Sequence, residues 1–289
     1  MSPSVSVLIT DLDNTLYDWV ALWGASFNAM VTKLVDMSGV PRDVLEAEAH
    51  VIHQRVGTSE YAFLIQELPS LKAKHPGGAL PTIYRPAIDA FRQAREANLR
   101  LYPTVTETLR RVKDKGCITI GYTESRAFYS NYRVRRLALD GLLDYLFSPP
   151  DHALPPDVSP EKVRSKPADE YRLVQTVHDF TPEGELKPNP RLLKDIMAGV
   201  NAKPERTVYV GDSLMKDVLM AQEAGVIDVF AEYGVAHDCE DYQLLRRVTH
   251  WTAADVERER QLRAHHNVHP THVLKSSFGQ LLDIFEFGA

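Results

Sequence analysis

The sequence predicts an α/β protein built on a doubly wound parallel sheet, with a smaller α-helical domain inserted near its start. Three observations carry that expectation. A short β-branched run, residues 5–10, ends abruptly in acids at Asp11, as a buried parallel strand does when it delivers polar groups at its carboxyl end. From Pro103 onward helical and strand patterns alternate, which is how crossover-connected parallel strands read. Between these two regions, residues 18–98 carry helical periodicity and no strand signal.

In the inserted segment Val20, Trp23, Phe27, Met30, Val31 and Leu34 recur at three- and four-residue steps, one face of a helix. Residues 43–56, 60–68 and 85–98 continue the pattern, separated by the breakers Gly39-Val40-Pro41, Gly57 and Pro76-Gly77-Gly78. The alternating part then reads as helix 104–115 closed by Gly116, strand 117–122, helix 130–138 and a short strand 145–147. Helix 190–200, strand 207–210, helix 216–224 closed by Gly225, and strand 226–231 follow. A last amphipathic helix is expected over residues 278–285. Residues 149–183 are rich in proline and charge and interrupt the alternation, so a loop-rich insertion is expected there. The expected domains are a core of residues 1–17 and 99–289 and a helical domain of residues 18–98.

Composition narrows the function classes. The 289 residues are 44% apolar and 25% charged, ordinary for a globular protein. A formal charge of -6 argues against a nucleic-acid binder, which needs a basic face. Two cysteines, Cys117 and Cys239, are too few for a disulfide framework. The first ten residues lack the long apolar core of a secretory signal, so the cytosol is the expected compartment. Among the histidines, His265, His266, His269 and His272 do not place three imidazoles on one helix face, and Pro270 breaks the run, so a surface loop is expected rather than a zinc site. Trp19 and Trp23 read as core residues, Tyr17 as a substrate contact, and His50 and His53 have no evident partner.

Chemistry is expected at the strand ends, where doubly wound sheets bind ligands. The first strand delivers Asp11 and Asp13, the strand ending at Tyr122 delivers Thr123 and then Glu124-Ser125, the loop before residue 190 delivers Lys187, and the strand ending at Val210 delivers Asp212 and then Asp217. Two carboxylates ~4 Å apart repel by roughly 4 kcal/mol at an effective dielectric near 20. Such a cluster calls for a hard cation, and oxygen-only ligands favour Mg²⁺ when a phosphate adds further oxygens. An aspartate, a cation, a lysine and backbone amides suit phosphoryl transfer. Asp11 is then the nucleophile, and Asp13 the acid that protonates the leaving alcohol and later deprotonates water. Thr123 holds phosphoryl oxygens, and Lys187 neutralises charge in the transition state.

With Asp11-x-Asp13-x-Thr15, the strand ending in Thr123, Lys187-Pro188, and Gly211-Asp212 followed by Asp217, the sequence resembles the haloacid dehalogenase superfamily. The likeness covers residues 5–20 and about 101–232. Leu101-Tyr102-Pro103, the run from Leu139 to Asp144, and Ala224-Gly225 are similar to that family's connecting segments. The resemblance implies a Mg²⁺ cofactor bound by Asp11, the Asp13 main-chain carbonyl and Asp212, with Asp217 orienting Lys187 or a metal-bound water. It also implies that residues 18–98 are a mobile helical cap that closes over the site, and that the insertion at 149–183, too short for a second cap domain, serves as a lid edge or a homodimer contact. Glu124 departs from the small polar residue usual there and adds acid beside the phosphate.

The expected activity is therefore phosphomonoester hydrolysis on a small phosphorylated metabolite. The likeness of the segment from Asp11 to Tyr17 to nucleotidase-like members tilts the leaving group towards a nucleoside. A phosphomutase on the same scaffold remains a second reading. A phosphonate hydrolase would need a desolvated cap lysine among Lys33, Lys72 and Lys74. Dehalogenation has no use for Asp13, and a receiver-like phospho-switch would place its aspartate on a later strand.

Overall fold

The computed structural model describes residues 3–151, 164, 166–235, 240–250 and 268–288. The chain divides into two compact units. One comprises Met1–Asp18, Arg100–Val235 and Arg263–Ala289, the other Trp19–Leu99 and Ala236–Leu262.

In the first unit the strands are β1 (Ser4–Val5), β2 (Val7–Thr10), β3 (Ile118–Tyr122), β4 (Tyr145–Ser148), β5 (Val177–Phe180), β6 (Thr207–Gly211), β7 (Ile227–Ala231), β8 (His272–Leu274) and β9 (Glu286–Phe287). Seven of them form one sheet in the order β5-β4-β3-β2-β6-β7-β8, every pair parallel. β1 pairs with β9 as a separate ribbon. The β-branched central strands β2 and β6 are buried along their whole length, as central strands covered on both faces must be. Helices Pro190–Gly199 and Leu219–Ala224 close one face, where Leu193, Ile196 and Met220 pack on Val7, Ile9, Ile120 and Tyr209.

From β2 the chain winds outward through β3, β4 and β5, then returns to lay β6 on the other side of β2 and winds the opposite way. That reversal opens a crevice at the carboxyl ends of β2 and β6. Helix Ala127–Arg136 follows the β3 loop and buries Ala127, Ser130, Arg133 and Val134.

Some expected elements change. The insertion at 149–183 is not loop throughout, because its end forms edge strand β5. Val177 and Phe180 are exposed, so the strand lacks the apolar signature of a covered one. Asp140 fixes its approach by accepting the amides of Val174, Gln175 and Thr176. Strand β8 begins at His272, the last histidine of the run expected to be a surface loop. The expected helix 216–224 begins instead as a π-helical turn, Leu214–Val218, and the expected helix 278–285 is a 3₁₀ turn followed by Leu281–Ile284.

The second unit is helical. Trp19–Ser38, Arg42–Val56, Arg85–Asn98 and shorter helices between them share one apolar core. Trp23 lies in it, stacked on Phe27 with ring centroids 4.9 Å apart and donating its indole N–H to Ser59. The expected boundary needs one correction. Helix Glu240–Val248 belongs with this unit rather than with the sheet, because Leu244, Leu245 and Val248 complete the same core.

Candidate active site

Asp11 follows β2 and continues its ladder, its amide donating to Val210 of β6. Two further carboxylates, Asp212 and Asp217, and one ammonium meet beside it. Lys187 Nζ lies 2.5 Å from Asp11 Oδ1 and 3.0 Å from Asp217 Oδ1. Tyr209 donates to the same Asp217 oxygen at 3.0 Å, and the Ser213 amide donates to Asp217 Oδ2 at 3.1 Å. Both oxygens of Asp217 are thus engaged in orienting the lysine and the β6 loop. Lys187 is buried, with its ammonium 4.8 Å above the Tyr122 ring.

The electrostatics follow from this burial. Desolvation pushes Asp11 up to about 7; Lys187 opposes the rise, and Asp217 and Asp13 reinforce it. Asp212 is pushed well above the ordinary carboxylate range by burial first and then by Asp11 and Asp217. Burial alone would push Lys187 down, but Asp11 and Asp217 outweigh it and hold the ammonium well above its usual value. Were Asp11, Asp212 and Asp217 all ionised, they would exceed the single positive charge of Lys187 by two, and the raised carboxyls of Asp11 and Asp212 mark that excess as unbalanced by the protein alone. One divalent cation matches that excess, so the donor set fits Mg²⁺. Among the described residues no three Asp, Glu, His or Cys side chains form a ligand set. A cation here would therefore rest on two carboxylates plus main-chain, water or phosphate oxygens, which is how Mg²⁺ is commonly held.

Asp13 lies apart from that cluster's hydrogen bonds, in a network of its own. Its Oδ1 accepts from Tyr17 Oη at 2.5 Å and from Arg133 Nη1 at 3.2 Å, and its Oδ2 accepts from Ser125 Oγ at 2.6 Å. Tyr17, expected to touch substrate, is instead buried and holds Asp13. Thr123, also buried, accepts the Ser125 amide at 3.1 Å and turns the chain after β3. Glu124 does not stand as free acid beside a phosphate. Its Oε1 accepts the Lys187 amide at 2.9 Å and its Oε2 pairs with Lys216 at 2.6 Å. Burial would raise this carboxyl, but Lys216 and Lys187 together bring it below the usual range. Neither Arg133 nor Lys216 stood out in the sequence. Arg133 lies three residues from Ser130 on the buried stripe of its helix, and a charge at a stripe position was the signal available.

The remaining sequence readings fall elsewhere. Cys117 is a buried free thiol, and Cys239, His265 and His266 lie outside the described residues. His272 lies on β8 with its ring edge-on to Phe285. No helix among the described residues is long and apolar enough to cross a membrane.

A model of the haloacid dehalogenase-like hydrolases matches residues 5–225. The chain belongs to that family. A second model, for HAD-hydrolase-like proteins, matches residues 186–276. Glyceraldehyde 3-phosphate phosphatase of Pyrococcus furiosus is 24% identical over 80% of this chain and 82% of its own length. The protein of the same name from Methanopyrus kandleri is 24% identical over 82% and 88%. The crystal structure of a 2-haloacid dehalogenase from Pseudomonas syringae superposes with a TM-score of 0.56 at 16% identity, covering 97% of each chain. That superposition shows the fold alone, and the chemistry done on it is set by the side chains at the crevice.

Proposed function

We propose that the chain is a magnesium-dependent phosphomonoesterase in which Asp11 takes the phosphoryl group of a small metabolite and passes it to water. One observation carries this reading: Asp11 is held by a buried lysine at the switch point, with a second aspartate two residues on, held in a hydrogen-bond network of its own. Asp11 Oδ1 is held by Lys187, whereas Oδ2 has the long 3.4 Å bond from Thr15, so Oδ2 is the less engaged oxygen and the better nucleophile. In the first step Asp11 Oδ2 bonds to phosphorus as the bond to the leaving oxygen breaks, and Asp13 gives that oxygen its proton. In the second step water bonds to phosphorus, its proton goes to Asp13, and the aspartyl oxygen leaves. Lys187 and the Thr123 hydroxyl neutralise and orient the phosphoryl oxygens. A Mg²⁺ ion held by Asp11, Asp212 and the Asp13 main-chain carbonyl would supply the positive charge that lets an anionic ester approach these carboxylates. Asp217 serves Lys187, since both of its oxygens are already engaged.

The two relatives named for a triose phosphate support a small non-nucleotide ester, beside the nucleoside monophosphate suggested by the first motif. A phosphonate hydrolase is disfavoured because Lys33, Lys72 and Lys74 are all exposed. The test is inorganic phosphate release from glyceraldehyde 3-phosphate, phosphoglycolate and nucleoside monophosphates, with Mg²⁺ and with a chelator. Asp11→Asn should abolish release without unfolding the protein, since an amide cannot attack phosphorus. Retention of a tenth of wild-type turnover would remove Asp11 as nucleophile. Transfer to a second site of the substrate without phosphate release would favour the phosphomutase reading.

A further inference from the structure

We infer that Arg133 is the positioning residue that docks the acid–base carboxylate of Asp13, so that proton delivery to the leaving group depends on a residue outside the four motifs. The inference rests on the phosphatase reading above. Arg133 is 3% exposed, and a guanidinium taken out of water persists in a fold only when it is paired and hydrogen-bonded. Its Nη1 reaches Asp13 Oδ1 at 3.2 Å and Ser125 Oγ at 2.8 Å. Ser125 Oγ in turn donates to Asp13 Oδ2 at 2.6 Å. Arginine, serine and aspartate thus close a ring in which one guanidinium nitrogen fixes both ends of the carboxylate, one directly and one through the hydroxyl. The same guanidinium lies over the rings of Tyr17 and Tyr129, at 5.9 Å from each centroid, and Tyr17 supplies the other donor to Oδ1. The tyrosine ring therefore spaces the charge while its hydroxyl orients the acid.

Helix Ala127–Arg136 gives the arrangement its rigidity. Ser130 in its first turn donates to the Ser125 carbonyl at 2.8 Å, tying the helix to the loop that carries Ser125. The expected result is a carboxylate held in one rotamer. Without the guanidinium Asp13 would lose one of the donors that fix its carboxylate, and misplacement of about 1 Å costs on the order of 10²-fold in rate.

The role has a signature that general damage to the fold lacks. A proton from Asp13 matters when the leaving group is a poor one, an alkyl alcohol, and matters little when it is p-nitrophenolate. The experiment compares wild type, Asp13→Asn, Arg133→Gln and Arg133→Lys on an alkyl phosphate such as glycerol phosphate and on p-nitrophenyl phosphate, with thermal unfolding of each. The expected result is that Arg133→Gln loses at least tenfold more kcat on the alkyl ester than on p-nitrophenyl phosphate, as Asp13→Asn does, with KM little changed. Arg133→Lys should recover part of the alkyl-ester rate. Equal losses on both esters, or no loss, overturn the inference and leave the phosphatase reading standing. If Arg133→Gln does not fold, Ser125→Ala and Tyr17→Phe remove the other two donors without leaving an unpaired charge; the same leaving-group bias supports the ring, and its absence overturns it. A wild type that hydrolyses neither ester overturns the phosphatase reading and this inference together.

Discussion

At the scale of single residues, the site is governed by how much unlike charge one lysine must balance. Lys187 holds Asp11 and Asp217 at once, and its pull on Asp212 is outweighed by burial and by those two aspartates. The closeness of Asp217 to β6 depends on Gly211, where a Cβ would stand 2.2 Å from the Asp217 carboxyl carbon. Gly211→Ala should therefore push Asp217 away from Lys187 and lower kcat by tenfold or more, about 1.4 kcal/mol in the activation barrier. Steady-state kinetics checks it, and an unchanged kcat would show that the Asp217 contact does not matter to the rate. That Asp11, Lys187, Asp212 and Asp217 lie together was legible in the sequence, because each follows a strand or loop at one edge of a doubly wound sheet. Arg133 and the partners of Ser125 and Glu124 were not, because each meets a residue more than 60 positions away.

At the scale of elements, strands with covered faces were readable and edge strands were not. β2 and β6 announce themselves as apolar runs, whereas β5 is an exposed edge held by the Asp140 carboxylate. The π-helical turn Leu214–Val218 was likewise invisible, since one extra residue in a turn leaves the apolar spacing nearly intact. Among the helices, His53 on Arg42–Val56 donates through Nδ1 to the Val248 carbonyl at 2.6 Å, joining that helix to Glu240–Val248. Burial pushes this imidazole from 6.5 down to about 4; nearby His250 and His50 add to the shift and the Val248 carbonyl opposes it. A histidine held neutral in the fold contributes stability above its unfolded value, and that contribution drains as pH falls from 6.5 towards 4. The loss is at most about 3 kcal/mol. Unfolding measured across this interval should show a flatter pH slope in His53→Gln than in wild type. Identical slopes would mean that His53 does not report on this helix pair.

For the molecule as a whole, the winding reversal explains why residues from four distant segments meet, and it was readable from the alternation of elements alone. The excess of negative charge at that crevice predicts that Mg²⁺ stabilises the native state selectively. At one hundred times its Kd the ion should add about 2.7 kcal/mol, seen as a rise in Tm that a chelator reverses and Asp212→Asn removes. A Tm indifferent to Mg²⁺ would contradict the charge count.

The helical unit draws its core from two stretches of chain, and this has a consequence for how the protein is made. Residues 19–99 leave the ribosome first, and helix Glu240–Val248, which supplies Leu244, Leu245 and Val248, follows after roughly 140 more residues. At ordinary elongation rates the groove awaiting that helix stays open on the order of 10 s. During that interval the nascent chain presents apolar surface that the finished protein does not. Its yield should depend on chaperones that bind such surface early in synthesis.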